Sequence, residues 1–395
     1  MMDGIESGSQ AWERSMETNL NEERRRLEAQ HEGREDWRLW GPYLSERAWG
    51  TVREDYSEGG TAWEYFDHDQ ARSRAYRWNE DGLGGICDEQ QRLCFALSLW
   101  NGHDPILKER AFGLTGNQGN HGEDVKEYYF YLDATPSHSW MRYLYKYPQA
   151  EYPYAWLVEE NHRRSREEPA FTLIDTGVFE EGRYFDVEVR YAKASTEEIH
   201  IRVIATNHGP EAAPLHLIPN LWFRNTWSWG DANLPSAQSP HGEKPTLREI
   251  PAPKGAKWAV QADHPTLGTY YLYGRHAAQA LYTENESNAQ RLWNVPSATP
   301  YVKDAFHRRI VNSESEAVNP ALTGTKFGAW HTLNLEPGHT VTIGMTLSRV
   351  ALAAPFERRE VIFAKREAEA TVFYDDLLPE ADPHDIKSCA KRSRA

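Results

Sequence analysis

The sequence predicts a mainly β protein, a large antiparallel β-sandwich followed by a single linker helix. Three observations predict it. Tyr184–Ala192 (YFDVEVRYA) and Glu198–Thr206 (EIHIRVIAT) place apolar or aromatic side chains at alternate positions, the period of a half-buried strand. Similar segments recur along the chain, separated by Gly and Pro turns such as Asn207-His208-Gly209-Pro210 and Glu336-Pro337-Gly338-His339. Helical spacing, in contrast, is clear only in Phe356–Leu378, through Phe363, Ala364, Ala368, Val372 and Phe373.

Taken in order, residues 1–36 read as a polar leader, disordered or helical, in which Thr18–Glu32 is at most a solvated helix. The sandwich is expected over residues 37–350, the linker helix leaving it over 351–378, and an irregular tail over 379–395. Trp37–Leu44 and Trp49–Ser57 open the sandwich as an aromatic segment broken by Gly and Pro. His68 between Asp67 and Asp69 suggests a metal ligand, but sequence neighbours rarely converge on one ion, and a solvated or salt-bridged loop is favoured. Gly82–Ile86 reads as a turn before the strand Arg92–Trp100; it lacks the helix and acidic partner of a dinucleotide site. Asn101–Asp124 is a long polar connection without the Gly-Lys-Ser/Thr ending of a phosphate loop, and is a functional-loop candidate; it carries His103 and His121, for which isolated surface histidines are the commoner case.

The connection runs into an aromatic strand, Val125–Asp133. Trp140–Trp156 is rich in Tyr, for which core or edge packing is favoured over ligand contact; Trp156–Glu168 reads as a short charged helix. Beyond the two central strands, Pro214–Phe223 is a third extended run, ending in Asn225–Gly230. There Trp227 and Trp229 suit either a rim that meets a ligand or sheet-edge packing, which is slightly favoured. Ala232–Lys254 reads as a loop, and strands follow at Lys257–Val260, Gly268–Tyr273, Ala280–Glu284, Ala329–Leu335 and Thr340–Leu347.

Composition narrows the function. A chain of 395 residues can bury a sizeable core, and 12% aromatic content with 15 Trp and 20 Tyr suits surfaces on which sugar C–H faces stack. The net charge of -15 disfavours nucleic acid and anionic membranes as partners. Cys87, Cys94 and Cys389 form neither a paired framework nor metal-ligand spacing, and Cys94 lies in an apolar run as a small core residue. With a polar N-terminal stretch and no apolar run near the ~20 residues of a membrane span, a reducing, cytoplasmic setting is expected.

Three stretches, Trp40–Ser57 (WGPYLSERAWGTVREDYS), Asn101–Gln149 and Leu217–Gly230 (LIPNLWFRNTWSWG), resemble glycoside hydrolase family 63, the mannosyl-oligosaccharide glucosidases and bacterial glucosidase relatives. The resemblance implies a mutarotase-like supersandwich joined by helices to an (α/α)6 barrel that carries the catalytic acids. This chain stops within about one helix length of Phe373–Asp376, so the barrel is expected to be missing or on a separate chain.

The expected function follows: the N-terminal sandwich of a glucosidase-like hydrolase of α-linked glucose oligosaccharides, inactive alone. A stand-alone carbohydrate-binding or scaffold module and a mutarotase-like enzyme are the alternatives. Such hydrolysis needs two carboxyl groups about 5 to 10 Å apart and no cofactor or metal. Glu54/Asp55 and Glu123/Asp124/Glu127 are the acidic candidates, although salt bridges to Arg53 and Lys126 are the favoured explanation of both, and no residue is assigned a catalytic role. The full set of substrate-side or interdomain candidates adds Trp49, Arg53, His121, Lys126, Trp227 and Trp229.

Overall fold

The computed structural model describes residues 21–43, 68–75, 82–122, 124–228 and 243–377. The chain begins with α1 (Glu22–His31) and β1 (Trp40–Tyr43), then runs through β2 (Leu83–Asp88), β3 (Leu93–Trp100), β4 (Gly113–Leu114), β5 (Asp124–Val125), β6 (Tyr128–Ala134), β7 (Trp140–Pro148) and α2 (Tyr154–Arg163). The central strands are β8 (Tyr184–Ser195), β9 (Glu198–Asn207) and β10 (Ala213–Phe223), followed by β11 (Thr246–Glu249), β12 (Trp258–His264), β13 (Gly268–Gly274) and β14 (Gln279–Thr283). After α3 (Ala289–Trp293) and α4 (Ala305–Ile310) come β15 (Thr323–Gly324), β16 (Lys326–Leu335), β17 (Thr340–Ser348) and α5 (Arg359–Leu377).

Two antiparallel sheets carry the fold: a six-stranded sheet ordered β1-β2-β3-β10-β16-β14 and a nine-stranded sheet ordered β15-β11-β12-β13-β17-β9-β8-β7-β6. The alternation read in the sequence sets which face is buried. Val187, Val189 and Tyr191 on β8, and Ile199, Ile201 and Val203 on β9, meet Leu215, Leu217 and Leu221 of β10 and Phe95 and Leu97 of β3 in one core. Each such side chain contributes about 1.5–3 kcal/mol on leaving water. The buried Tyr residues also bridge the sheets: the Tyr191 hydroxyl donates to the Gly84 carbonyl at 2.5 Å. Core packing of the Tyr-rich β7 follows, with Tyr143, Tyr145 and Tyr147 all fully buried.

Four expectations need correction. Gly82–Ile86 is not a turn: β2 occupies most of it, with a register shift between Leu83 and Ile86. Gly84 has φ +56, and a Cβ there would lie 2.6 Å from the Tyr143 ring, so glycine serves close sheet-on-sheet approach. The leader helix is not solvated. Asn21 caps α1 at Arg24 N, and buried Glu23 accepts hydrogen bonds from Ser137 N (2.7 Å), Ser137 Oγ (2.8 Å) and Ser139 Oγ (2.9 Å). The helix α5 does not leave the sandwich either; Phe363 packs edge-on against Trp140 and Arg366 Nε donates to the Lys193 carbonyl at 2.6 Å, so α5 lies across β7 and β8. Finally, the aromatic strand predicted at Val125–Asp133 is two strands, β5 and β6.

Candidate functional site

Because inward positions on β3, β10 and β16 are apolar, their polar side chains are displaced to the outer face of the six-stranded sheet. Register aligns them across the strands: Cys87 is opposite Cys94, Cys94 opposite Trp222, Trp222 opposite Lys326 and Lys326 opposite Thr283. This face is not open to solvent. Leu107, Phe306 and Ile310 cover Ile218 and Leu281, forming a second apolar layer.

Beside that layer lies a cavity of about 10 Å³ lined by Gly82, Ser98, Glu109, Asn220, Trp222, Asn285 and Lys326. It has room for about one water-sized group. Lys326 Nζ forms an ion pair with Glu109 Oε1, both side chains being buried. Asn220 Nδ2 donates to Ser98 Oγ at 2.5 Å and to the Ile218 carbonyl at 2.9 Å. Glu109 Oε2 and Asn220 Oδ1 are left buried without a hydrogen-bond partner among the described residues. A buried acceptor left without a donor costs about 1–3 kcal/mol, so the cavity favours a group that donates hydrogen bonds.

The polar cluster continues to a half-exposed rim through Asn285. Its Nδ2 donates to the Phe223 carbonyl (2.9 Å), while its own carbonyl accepts from Asn225 Nδ2 (2.8 Å). At the rim, Trp227 Nε1 donates to Glu286 Oε1 at 2.7 Å, and Lys244 Nζ lies 2.9 Å from Glu286 and 3.1 Å from Glu284. Burial lowers the affinity of Lys244 for its proton, but the two carboxylates outweigh it and hold its pKa above the ordinary value. Glu284 and Glu286 are thus both engaged by one ammonium, which makes them an ion-paired cluster at the rim.

Of the residues singled out from sequence, the structure brings Trp227 to this rim. Trp49, Arg53, Glu54, Asp55, Glu123 and Trp229 lie outside the described residues. Asp124 sits on β5 opposite Leu114, and His121 is exposed, its Nε2 donating to the Glu168 carbonyl at 2.8 Å. Lys126 is buried and donates its backbone N–H to Phe112.

Glu127 pairs with Lys108 rather than with Lys126. It is fully buried, ion-paired with Lys108 and hydrogen-bonded by the Tyr145 hydroxyl. Burial raises its pKa, against the opposing pull of Lys108. The Lys108 ammonium is also enclosed by the rings of Phe112 (3.8 Å) and Tyr152 (4.2 Å). The supposed polar loop around Lys108 is thus internal, with Ile106–Leu114 buried throughout. His68 is stacked on Tyr154 at 4.0 Å rather than solvated, and burial, reinforced by Lys108, pushes its pKa down to about 3.

Sequence reasoning missed Ser98, Glu109, Asn220 and Lys326. A signal existed for Asn220, a polar residue inside the apolar run Pro214–Phe223, where an unpaired amide would be costly. Lys108-Glu109-Arg110 carried none, because three consecutive charges ordinarily mark a solvated turn.

Fold and site together define a two-sheet antiparallel β-sandwich with a buried, incompletely satisfied polar cluster outside its smaller sheet. No family profile matches the chain. A protein of Saccharomyces cerevisiae described as "Uncharacterized protein YMR196W" is 37% identical over 408 residues, covering 92% of this chain and 36% of that protein. The chain therefore spans about a third of that relative's length.

Among solved structures, a polysaccharide lyase overlaps 66% of this chain and 25% of its own, at 11% identity and a TM-score of 0.26. A putative aldose 1-epimerase of Escherichia coli overlaps 53% of this chain and 65% of its own, at 8% identity and 0.22. A putative kojibiose phosphorylase from the human microbiome overlaps 53% and 21%, at 9% identity and 0.21. At these scores the overlaps assign no residue correspondence.

Proposed function

We propose that this chain is the β-sandwich portion of a larger carbohydrate-active hydrolase acting on α-linked glucose-containing oligosaccharides, and that it supplies a site for sugar hydroxyl groups rather than the catalytic acids. The observation that carries this reading is the cavity in which Glu109 Oε2 and Asn220 Oδ1 are buried without partners among the described residues. A sugar hydroxyl donates one hydrogen bond and accepts others, so it can satisfy either acceptor. Glu109 lies in the family-63-like stretch Asn101–Gln149, and Asn220, Trp222 and Trp227 lie in Leu217–Gly230. The yeast relative extends well beyond the part this chain covers, and in this reading the chemistry belongs to that further region.

The test is calorimetric titration of the chain with glucose and α-linked glucose disaccharides, alongside glucose release by the chain and by the full-length yeast relative. The expected result is saturable binding by the chain, weakened about tenfold in Asn220→Ser, with release by the longer protein only. Release by this chain alone overturns the division of labour. Binding without release from either protein makes the sandwich a carbohydrate-binding module, and absence of binding removes the cavity from the function.

A further inference from the structure

Cys87 and Cys94 stand directly opposite each other on the antiparallel strands β2 and β3. Both side chains belong to one small apolar cluster with Ala96 and Trp222 on the outer face of the six-stranded sheet. Both are free thiols, and Cys94 Sγ lies 3.8 Å from the Gln91 carbonyl. Directly opposed residues on antiparallel strands have Cα atoms about 4.5–5.5 Å apart, inside the 4.4–6.8 Å that a disulfide spans.

The hairpin that sets this register is itself fixed. The buried Asp88 carboxylate accepts from Arg92 N (2.6 Å), Leu93 N (2.8 Å) and Arg92 Nε (2.9 Å), and Gln91 completes the turn at φ 57. Cross-linking the two sulfurs therefore asks for no change in strand pairing.

We propose that Cys87 and Cys94 are a reversible disulfide site, oxidised by small disulfides of the glutathione class. Cys87 retains 6% exposure beside the exposed Glu89 and Gln90, whereas Cys94 retains none, so Cys87 meets the oxidant. Its thiolate attacks one sulfur of oxidised glutathione, forming a mixed disulfide and expelling one glutathione thiolate. Cys94 then attacks the Cys87 sulfur and expels the second. The two protons lost by the cysteines end on the two glutathione thiols, and the two electrons lost in forming the protein disulfide reduce oxidised glutathione. Burial and the neighbouring Cys87 thiol raise the Cys94 pKa, which makes Cys94 the slower, resolving thiol. The disulfide would form in the row that contains Trp222 and Lys326, two of the cavity-lining residues.

The experiment incubates the full chain with oxidised glutathione under native conditions, quenches it with acid, denatures it in an alkylating reagent and maps the peptides. The expected product has Cys87 and Cys94 joined, 2 Da lighter and unalkylated, and reverts on adding a dithiol. Cys389→Ser leaves its yield unchanged, and Cys87→Ser slows loss of the Cys94 thiol more than tenfold. Alkylation of both cysteines after prolonged incubation overturns the proposal. So does a product that stops as a glutathione adduct on Cys87, or a cross-link that forms only in urea, since the native register would then not be what joins them.

Discussion

The outer faces of the two sheets obey the same alternation and differ in what lies over them. On the nine-stranded sheet, Arg142 and Arg190 both bond Glu188, at 2.6 and 2.8 Å, and Lys146 and His208 both lie within 2.9 Å of Asp186. These side chains keep contact with water, and the ladder satisfies itself from strand to strand. Over the six-stranded sheet the charges are enclosed: Lys326 of the sheet and Glu109 of the covering segment retain about 5% exposure or less and leave one carboxylate oxygen unpartnered among the described residues. A solvated charge ladder costs little and contributes little, whereas an enclosed pair is stabilising only while it is complete. The incomplete cluster is the better ligand candidate for that reason.

The largest expected effect comes from opening the enclosed pair. Lys326→Met strands the Glu109 carboxylate and should lower unfolding free energy by about 3–5 kcal/mol in urea titration, with Glu109→Gln added to it recovering most of the loss. Failure of the double variant to recover would mean that packing, not charge, sets the cost.

Protonation beneath the same cover comes next. His307 Nδ1 accepts from the Leu107 N–H at 3.3 Å, and burial, with Arg72 and Arg291 nearby, lowers its pKa to about 4. As pH falls from 6.5 to 4 the unfolded chain takes up this proton before the native one does. The stability contribution is therefore full above pH 6.5, is lost progressively on acidification, and levels off below the folded pKa. Thermal melts of His307→Asn should lack about 1–3 kcal/mol of the wild-type acid destabilisation across that window.

The smallest effect is expected on the open ladder, where Lys146→Ala should cost less than about 1 kcal/mol and the difference should shrink further in high salt. A cost above 2 kcal/mol would erase the contrast between the two faces.

Much of the fold was legible. β8, β9 and β10 begin and end within three residues of the expected positions, because an alternating strand announces both its period and its buried face. α1 was harder: Glu23 and Arg26 look solvated in sequence, and become buried only because Ser137, Ser139 and Glu369 meet them from distant segments. The candidate site was legible only at Trp227. Glu127, one of the acidic candidates, turned inward to Lys108, a partner 19 residues away that charge spacing does not reveal.

By itself the sequence determined the strand periods, the turns between them and the helical spacing at the end of the described chain, because these depend on neighbours within a few residues. Tertiary structure decided which outward polar residues are enclosed and which are wet. It brought Glu109 to Lys326 across 217 positions and set Cys87 against Cys94. Alternation specifies the face to which a side chain points; what covers that face is fixed by long-range packing, and the dielectric environment of each charge follows from that cover.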